Sequence, residues 1–260
     1  MGRWSRQLAF SLEGLRGDAR KILDWVAASG FRGVELPLHG RPVGVADLDR
    51  TGVRDLWQFL SDRRLALASV SGSLPGALDH PNGADQALST LSRLLEKLAV
   101  TSRPPLVLEM EPLGVGEEAS EEVLQEALEH LCQLTEHYEY RVALVGHLLD
   151  VKRIAQALRG DDAPFVGTGF DPLRILEVEG DVSIWLEEWA DRLFVVYVED
   201  GVPHYGVVDF ARVGDGSIPW YEVLEKLEEM EYVGPLVVRT YRAPDPYEEA
   251  VRAKRFIERI

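Results

Sequence analysis

At 260 residues, 46% of them hydrophobic, the chain is long enough to bury a full core, and it contains no run of about 18 apolar residues that could span a bilayer. A formal net charge of −16 repels a phosphate backbone and excludes nucleic acid as an expected partner. The single cysteine, Cys132, excludes a disulfide framework and a multi-cysteine zinc site.

The first twenty residues, MGRWSRQLAFSLEGLRGDAR, lack an apolar stretch followed by a small-residue cleavage site, so a cytoplasmic chain is expected. From Leu8 onward, short apolar runs alternate with longer segments of helical period, the pattern of repeated strand and helix units around a parallel sheet. QLAFSL comes first, followed by a helix with Ala19, Ile22, Leu23 and Val26 on one face. Gly30 and Gly33 signal the turn into GVELPL. LALASVSG precedes a helix whose apolar face is Leu88, Leu91, Leu94, Leu95 and Leu98. PLVLEMEP leads to a fourth helix with Val123, Leu124, Ala127, Leu128 and Leu131 aligned, and Cys132 reads as a small core residue beside them. RVALVGH and FVGTGFD are the fifth and sixth runs. LFVVYVEDG, the seventh, reads as a buried strand running out into a loop at Asp200-Gly201, before a helix carrying Trp220, Val223, Leu224 and Leu227. Gly234-Pro235 turn the chain into PLVVRTY, and the segment from Tyr247 to Ile260 closes the ring. Eight such units predict a single (β/α)8 TIM barrel over residues 1–260, with no linker or low-complexity tract to mark a second domain.

A barrel of this kind works at the C-terminal ends of its strands, and alternation along each strand decides which side chains point inward. The inward candidates are Glu35, Ser71, Glu109 with Glu111, Val145 with His147, Asp171, Tyr197 with Glu199, and Arg239 with Tyr241. The five lysines fall on predicted helices, which sets aside Schiff-base chemistry in the mouth. Gly214-Asp215-Gly216 lacks the continuation of a phosphate cradle, and Trp185, Trp189 and Trp220 read as helix-to-barrel packing.

Several segments, in their order and spacing, resemble the xylose isomerase-like barrels, the sugar and sugar-phosphate isomerases and epimerases with AP endonuclease family 2 as a distant branch. They are ILDWVAASGFRGVELPL, VGTGFDPLRI, LFVVYVEDG and VGDGSIPWYEVLEKLEEMEYVGPLVVRTY. The resemblance implies a small sugar or sugar phosphate as ligand. It also implies one divalent metal, Mn, Mg or Zn, held by a Glu from strand five, an Asp from strand six, a His from strand seven and a Glu from strand eight, the two glutamates moving the proton. On this chain those positions are Val145, Asp171, Tyr197 and Arg239, and a His expected just after the Asp is Arg174. A slip of one residue in strand five gives Gly146, which has no ligating side chain either.

The leading expectation is therefore a barrel that has lost the metal site and the usual catalysis, and serves as a sugar-binding or regulatory pseudoenzyme. Arg239 is expected to pair with Asp171, with Glu199 or Glu111 nearby, taking over the position and charge of the metal. Asp171, Arg174, Arg239 and Glu111 are the candidate ligand-binding residues. Two alternatives stay open. One is an isomerase or epimerase with a rearranged divalent metal site built from Asp171, His147 and Glu199, with His39, His80, Glu111 and His204 as further donors on the same face. The other is a metal-independent enzyme in which Arg174 and Arg239 bind an anionic sugar and Tyr197 or Glu199 handles the proton. Glu109 and Glu111, both from one strand, read as a polar layer of the barrel interior or as ion-pair partners rather than as an acid and base pair.

Overall fold

The computed structural model describes residues 3–99, 102–116, 118–158, 163–178, 180–205 and 207–260. Seven strands come first: β1 (Leu8–Ser11), β2 (Gly33–Pro37), β3 (Ala66–Ser73), β4 (Leu106–Glu109), β5 (Val142–Val145), β6 (Val166–Phe170) and β7 (Leu193–Val198). An antiparallel hairpin of β8 (Asp200–His204) and β9 (Val207–Ala211) interrupts the series before β10 (Leu236–Val238). β10 pairs with both β1 and β7, so β1 to β7 and β10 close a parallel barrel of eight strands, as the alternating apolar runs predict.

Helices α1 (Ala19–Ala28), α2 (Arg50–Asp62), α3 (Pro81–Leu98), α4 (Glu121–Tyr138), α5 (Leu148–Ala157), α6 (Pro172–Glu177), α7 (Val182–Glu188), α8 (Trp220–Glu229) and α9 (Pro246–Ile257) connect the strands. Many start on a short polar residue that satisfies the first free amides. The side chains of Asp18, Asp49, Ser120, Asp181 and Asp245 accept from amides two or three positions on, each cap contributing on the order of 1 kcal/mol. No helix among the described residues is long and apolar enough to cross a membrane.

Two layers of core follow from strand alternation. The outer faces of the strands meet the helices in one large cluster that includes Phe10, Val34, Leu91, Leu131 and Trp220. Trp185 and Trp189 belong to it as well, and Cys132 is half-buried against it. A smaller cluster fills the barrel itself: Ala9, Val107, Ala143, Val145, Phe194, Val195, Tyr197 and Val237. Phe194 and Tyr197 are large for a barrel interior, and β6 makes room for them. A Cβ on Gly167 would lie 2.9 Å from the Phe194 ring, and one on Gly169 would lie 3.1 Å from Val145 Cγ1 and 3.5 Å from the Tyr197 ring.

The loop expected after the seventh strand is instead the β8/β9 hairpin. The chain leaves the barrel at Glu199, and Asp200-Gly201 begin a new strand rather than a turn. The buried Asp200 carboxylate accepts from the amides of Gly201 (2.8 Å), Ile218 (3.1 Å) and Gly214 (3.0 Å), which fixes the returning 213–218 loop. A Cβ on Gly216 would lie 2.1 Å from Asp200 Oδ1, so only glycine fits there.

Candidate active site at the barrel mouth

The floor of the mouth is a buried carboxylate. Glu35 on β2 has no solvent exposure, and burying a carboxylate is costly unless its oxygens are satisfied. Ser11 Oγ from β1 donates to Oε1 at 2.9 Å, while Ser69 Oγ from β3 (2.8 Å) and the Tyr197 hydroxyl from β7 (3.1 Å) donate to Oε2. Burial pushes the Tyr197 phenol well above its ordinary range, with Arg239 opposing, so it stays a neutral donor. Four elements of the barrel are tied together at this level.

Arg239, immediately after β10, lies on that floor. Its guanidinium carbon is 3.2 Å from the centroid of the Tyr197 ring, a cation–π contact. Nε is 3.6 Å from Glu35 and 3.8 Å from Glu13; Nη1 is 3.7 Å from Asp171 and 3.8 Å from Glu199. One cation is thus shared among four carboxylates, and its side chain is only 11% exposed. Burial works against the charge, but Tyr197, Glu35, Glu199 and Asp171 outweigh it and hold the group cationic. Nε is buried and hydrogen-bonded to nothing among the described residues.

The wall above is built from strand ends. Asp171 follows β6 and caps α6, its Oδ1 accepting from the amides of Leu173 (3.1 Å) and Arg174 (3.3 Å), which leaves Oδ2 for Arg239. Arg174 reaches across the mouth to Glu109 (2.5 Å) and back to Glu177 (3.4 Å). Glu199 follows β7 and is 6% exposed. Burial first and Asp171 second push its carboxyl up to about 8, against the pull of Arg239. Among the described residues it makes no hydrogen bond, and Arg239 is the cation within ion-pair distance. Burial likewise raises Glu13, and burial followed by Glu199 pushes Tyr241 up to about 12. Arg242 donates to the Val208 carbonyl and so holds β9 against the mouth.

These groups enclose a cavity of about 460 Å³, with Ser71, Val107, Val145, Gly146, Val207 and Val208 among the other residues that line it. Five carboxylates line it (Glu13, Glu109, Asp171, Glu177 and Glu199) against three arginines (Arg174, Arg239 and Arg242). Among the described residues, no three His, Cys, Asp or Glu side chains are grouped so as to hold a metal ion.

The expected pair of Arg239 with Asp171 is present, with Glu199 beside it. Glu111 is not beside it: its carboxylate lies outside the cavity and accepts from the Gly76 amide at 2.9 Å, because the chain has left β4 after Glu109. His147, expected to point inward, is exposed and stands at the start of α5, since β5 ends at Val145 and Gly146 carries the chain off the barrel wall. His39 pairs with Asp47, His80 with the Val115 carbonyl, and the His204 ring lies against Tyr205, so the histidines of this face are scattered. Glu109 has the ion-pair role with Arg174. Glu13, Ser11 and Arg242 are absent from the inward candidates drawn from the sequence. Alternation along QLAFSLE, through Ala9, Ser11 and Glu13, carries the signal for two of them.

The model of the xylose isomerase-like TIM barrel family matches residues 23–260. A search among curated proteins gives no match. Solved structures of the same shape include the 3-keto-D-glucoside 4-epimerase YcjR from E. coli, with 16% identity, a TM-score of 0.73, and coverage of 98% of this chain and 99% of that one. A D-tagatose 3-epimerase-like protein shares 15% identity with a TM-score of 0.77, covering 97% and 96%. The IolI protein with a binding zinc atom shares 14% with a TM-score of 0.74, covering 96% of each chain. At these identities the likeness to solved structures shows the fold.

Proposed function

This chain belongs to the xylose isomerase-like TIM barrel family, and from that premise we propose that it is a metal-free member which binds a small sugar at the barrel mouth as a binding or regulatory protein. The carrying observation is the Arg239 guanidinium, stacked on Tyr197 and shared by Glu35, Glu13, Asp171 and Glu199 at 3.6 to 3.8 Å. A divalent cation needs several hard donors converging on one point. The four positions to which the resemblance assigns a metal carry instead a valine, a helix-capping aspartate, a tyrosine donating to Glu35, and a cation of their own. This donor set does not fit a divalent metal. The IolI protein, of the same fold, carries a zinc atom; a shared barrel does not by itself bring a metal with it, because function lives in the site.

The test is elemental analysis of protein purified without chelator, paired with sugar titration in EDTA. Metal well below one equivalent, with saturable sugar binding in EDTA, is the expected result; one equivalent of Mn, Zn or Mg that survives dialysis overturns the reading.

A second reading is favoured by Glu199, which lines the cavity with its carboxyl raised to about 8. A group that titrates near neutrality suits general acid and base work, here a metal-independent proton transfer on a sugar lying over Arg239. Solvent deuterium entering a carbon-bound position of a sugar in the presence of EDTA, and lost in Glu199→Gln, distinguishes this reading from binding alone.

A further inference from the structure

We propose that the mouth cavity selects a protonated amino sugar, an amine-bearing polyol, over the neutral sugar and over the sugar phosphate. The inference rests on the sugar-binding reading above and adds the charge class of the ligand.

Charge balance comes first. The lining carboxyl groups outnumber the lining arginines by five to three; with Glu199 raised to about 8 and so protonated near pH 6.5, four lining acids and Glu35 beneath them still face three arginines. Two of the three arginines are also committed to carboxylates. Arg174 spans Glu109 and Glu177, Arg239 is shared among four carboxylates, and Arg242 is held by the Val208 carbonyl. A phosphate drawn to Arg174 or Arg239 would have to break these pairs and then meet the released carboxylates. Arg242, exposed and in no ion pair among the described residues, is the one lining guanidinium a phosphate can reach without breaking such a pair.

Unmet acceptor capacity is the second, independent observation. Glu199 is 94% buried by its 6% exposure, lines the cavity and makes no hydrogen bond among the described residues. Arg239 lies 3.6 Å or more from each of its four acids, so it neutralises them collectively without occupying their lone pairs. Glu13, with its side chain 46% exposed, and Asp171, 16% exposed, open to the same space. An ammonium carries three donors and no acceptor, which matches a wall of under-used carboxylate oxygens. Tyr241, 48% exposed, adds an aromatic ring at the rim where a cation gains further. The raised carboxyls of Glu13 and Glu199 are consistent with the same excess of negative charge, burial being the larger cause for both. A bound ammonium draws Glu199 toward its ionised form, so binding releases a proton.

The experiment is calorimetric titration of the whole chain at about pH 6.5, where the amine is protonated. EDTA is present throughout, so that no metal can stand in for the amine. The probes are D-glucosamine, D-glucose and D-glucose 6-phosphate. Glucosamine is expected to bind about tenfold tighter than glucose, with the phosphate weakest. Added salt should narrow the gap between glucosamine and glucose. Its heat should vary with the ionisation enthalpy of the buffer, as proton release requires. Glu13→Gln, at a half-exposed site, should lower the glucosamine to glucose ratio about threefold; Glu199→Gln should remove the buffer dependence. Glucose binding as tightly as glucosamine, or the phosphate binding tightest, overturns the charge class while the sugar-binding reading stands. Failure of all three probes to bind overturns both.

Discussion

Arg239 makes the sharpest claim at the scale of single residues. Removing one partner from a buried ionic cluster leaves uncompensated charge, which costs roughly 3 to 5 kcal/mol. Arg239→Ala would strand Glu35 at zero exposure beside Asp171 and Glu199. A loss of that size in denaturant unfolding is expected, partly recovered by adding Glu35→Gln, and unchanged stability in the single variant would contradict the role of Arg239 as the cation that neutralises these carboxylates. Glu199 gives a second prediction, in pH. Its folded value is raised from 4.5 to about 8, so between those limits the folded state holds a proton that the unfolded state has released. Stability then falls as pH rises through this window, by up to about 1.4 kcal/mol per pH unit, and Glu199→Gln should flatten the slope. The pairing of Arg239 with Asp171 is legible in the sequence, because both stand at strand ends of fixed alternation. Glu13 is less so, since it lies beyond β1 in a stretch without a motif. His147 is misplaced because a single glycine, Gly146, ends the strand and cancels the alternation on which the inward assignment depends.

At the scale of elements, the eight barrel strands are legible because they are buried on both faces and read as nearly continuous apolar runs; β1, β2, β5, β6, β7 and β10 are buried at every position. The β8/β9 hairpin is not, and for a related reason. Val202, Pro203 and His204 are exposed, as is Val207, so the hairpin has neither an apolar run nor a clean alternation to announce it. Its position is set instead by Asp200, two of whose three amide donors, Gly214 and Ile218, lie 14 and 18 positions later. Asp200→Ala removes all three bonds at a site only 2% exposed. A cost of roughly 2 to 4 kcal/mol is expected, with hydrogen exchange at Gly214 and Ile218 accelerated more than in α3 or α4. Equal acceleration everywhere would mean that Asp200 supports the barrel globally and not the mouth in particular.

For the whole molecule, what matters is where the cation at the mouth comes from. A barrel that borrows its cation as a bound metal gains stability by mass action and loses it to a chelator. On the reading proposed above, the cation of this mouth is the Arg239 side chain following β10, already shared by Glu35 within β2, by Asp171 and Glu199 at the ends of β6 and β7, and by Glu13 in the loop after β1. It cannot be dialysed away, and its contribution does not depend on the concentration of anything in solution. Excess EDTA is therefore expected to shift the thermal midpoint by less than about 1 °C, a stability change of a few tenths of a kcal/mol at this chain length. Adding Mn, Zn or Mg back should not raise it. The net charge of −16 makes a control necessary, because any divalent salt screens the self-repulsion of an acidic surface. Sodium chloride at matched ionic strength separates screening from binding: a rise common to all salts is the acidic surface, whereas a rise of several degrees with one divalent ion alone would place a metal at the mouth and return the chain to the metal-dependent members of its family.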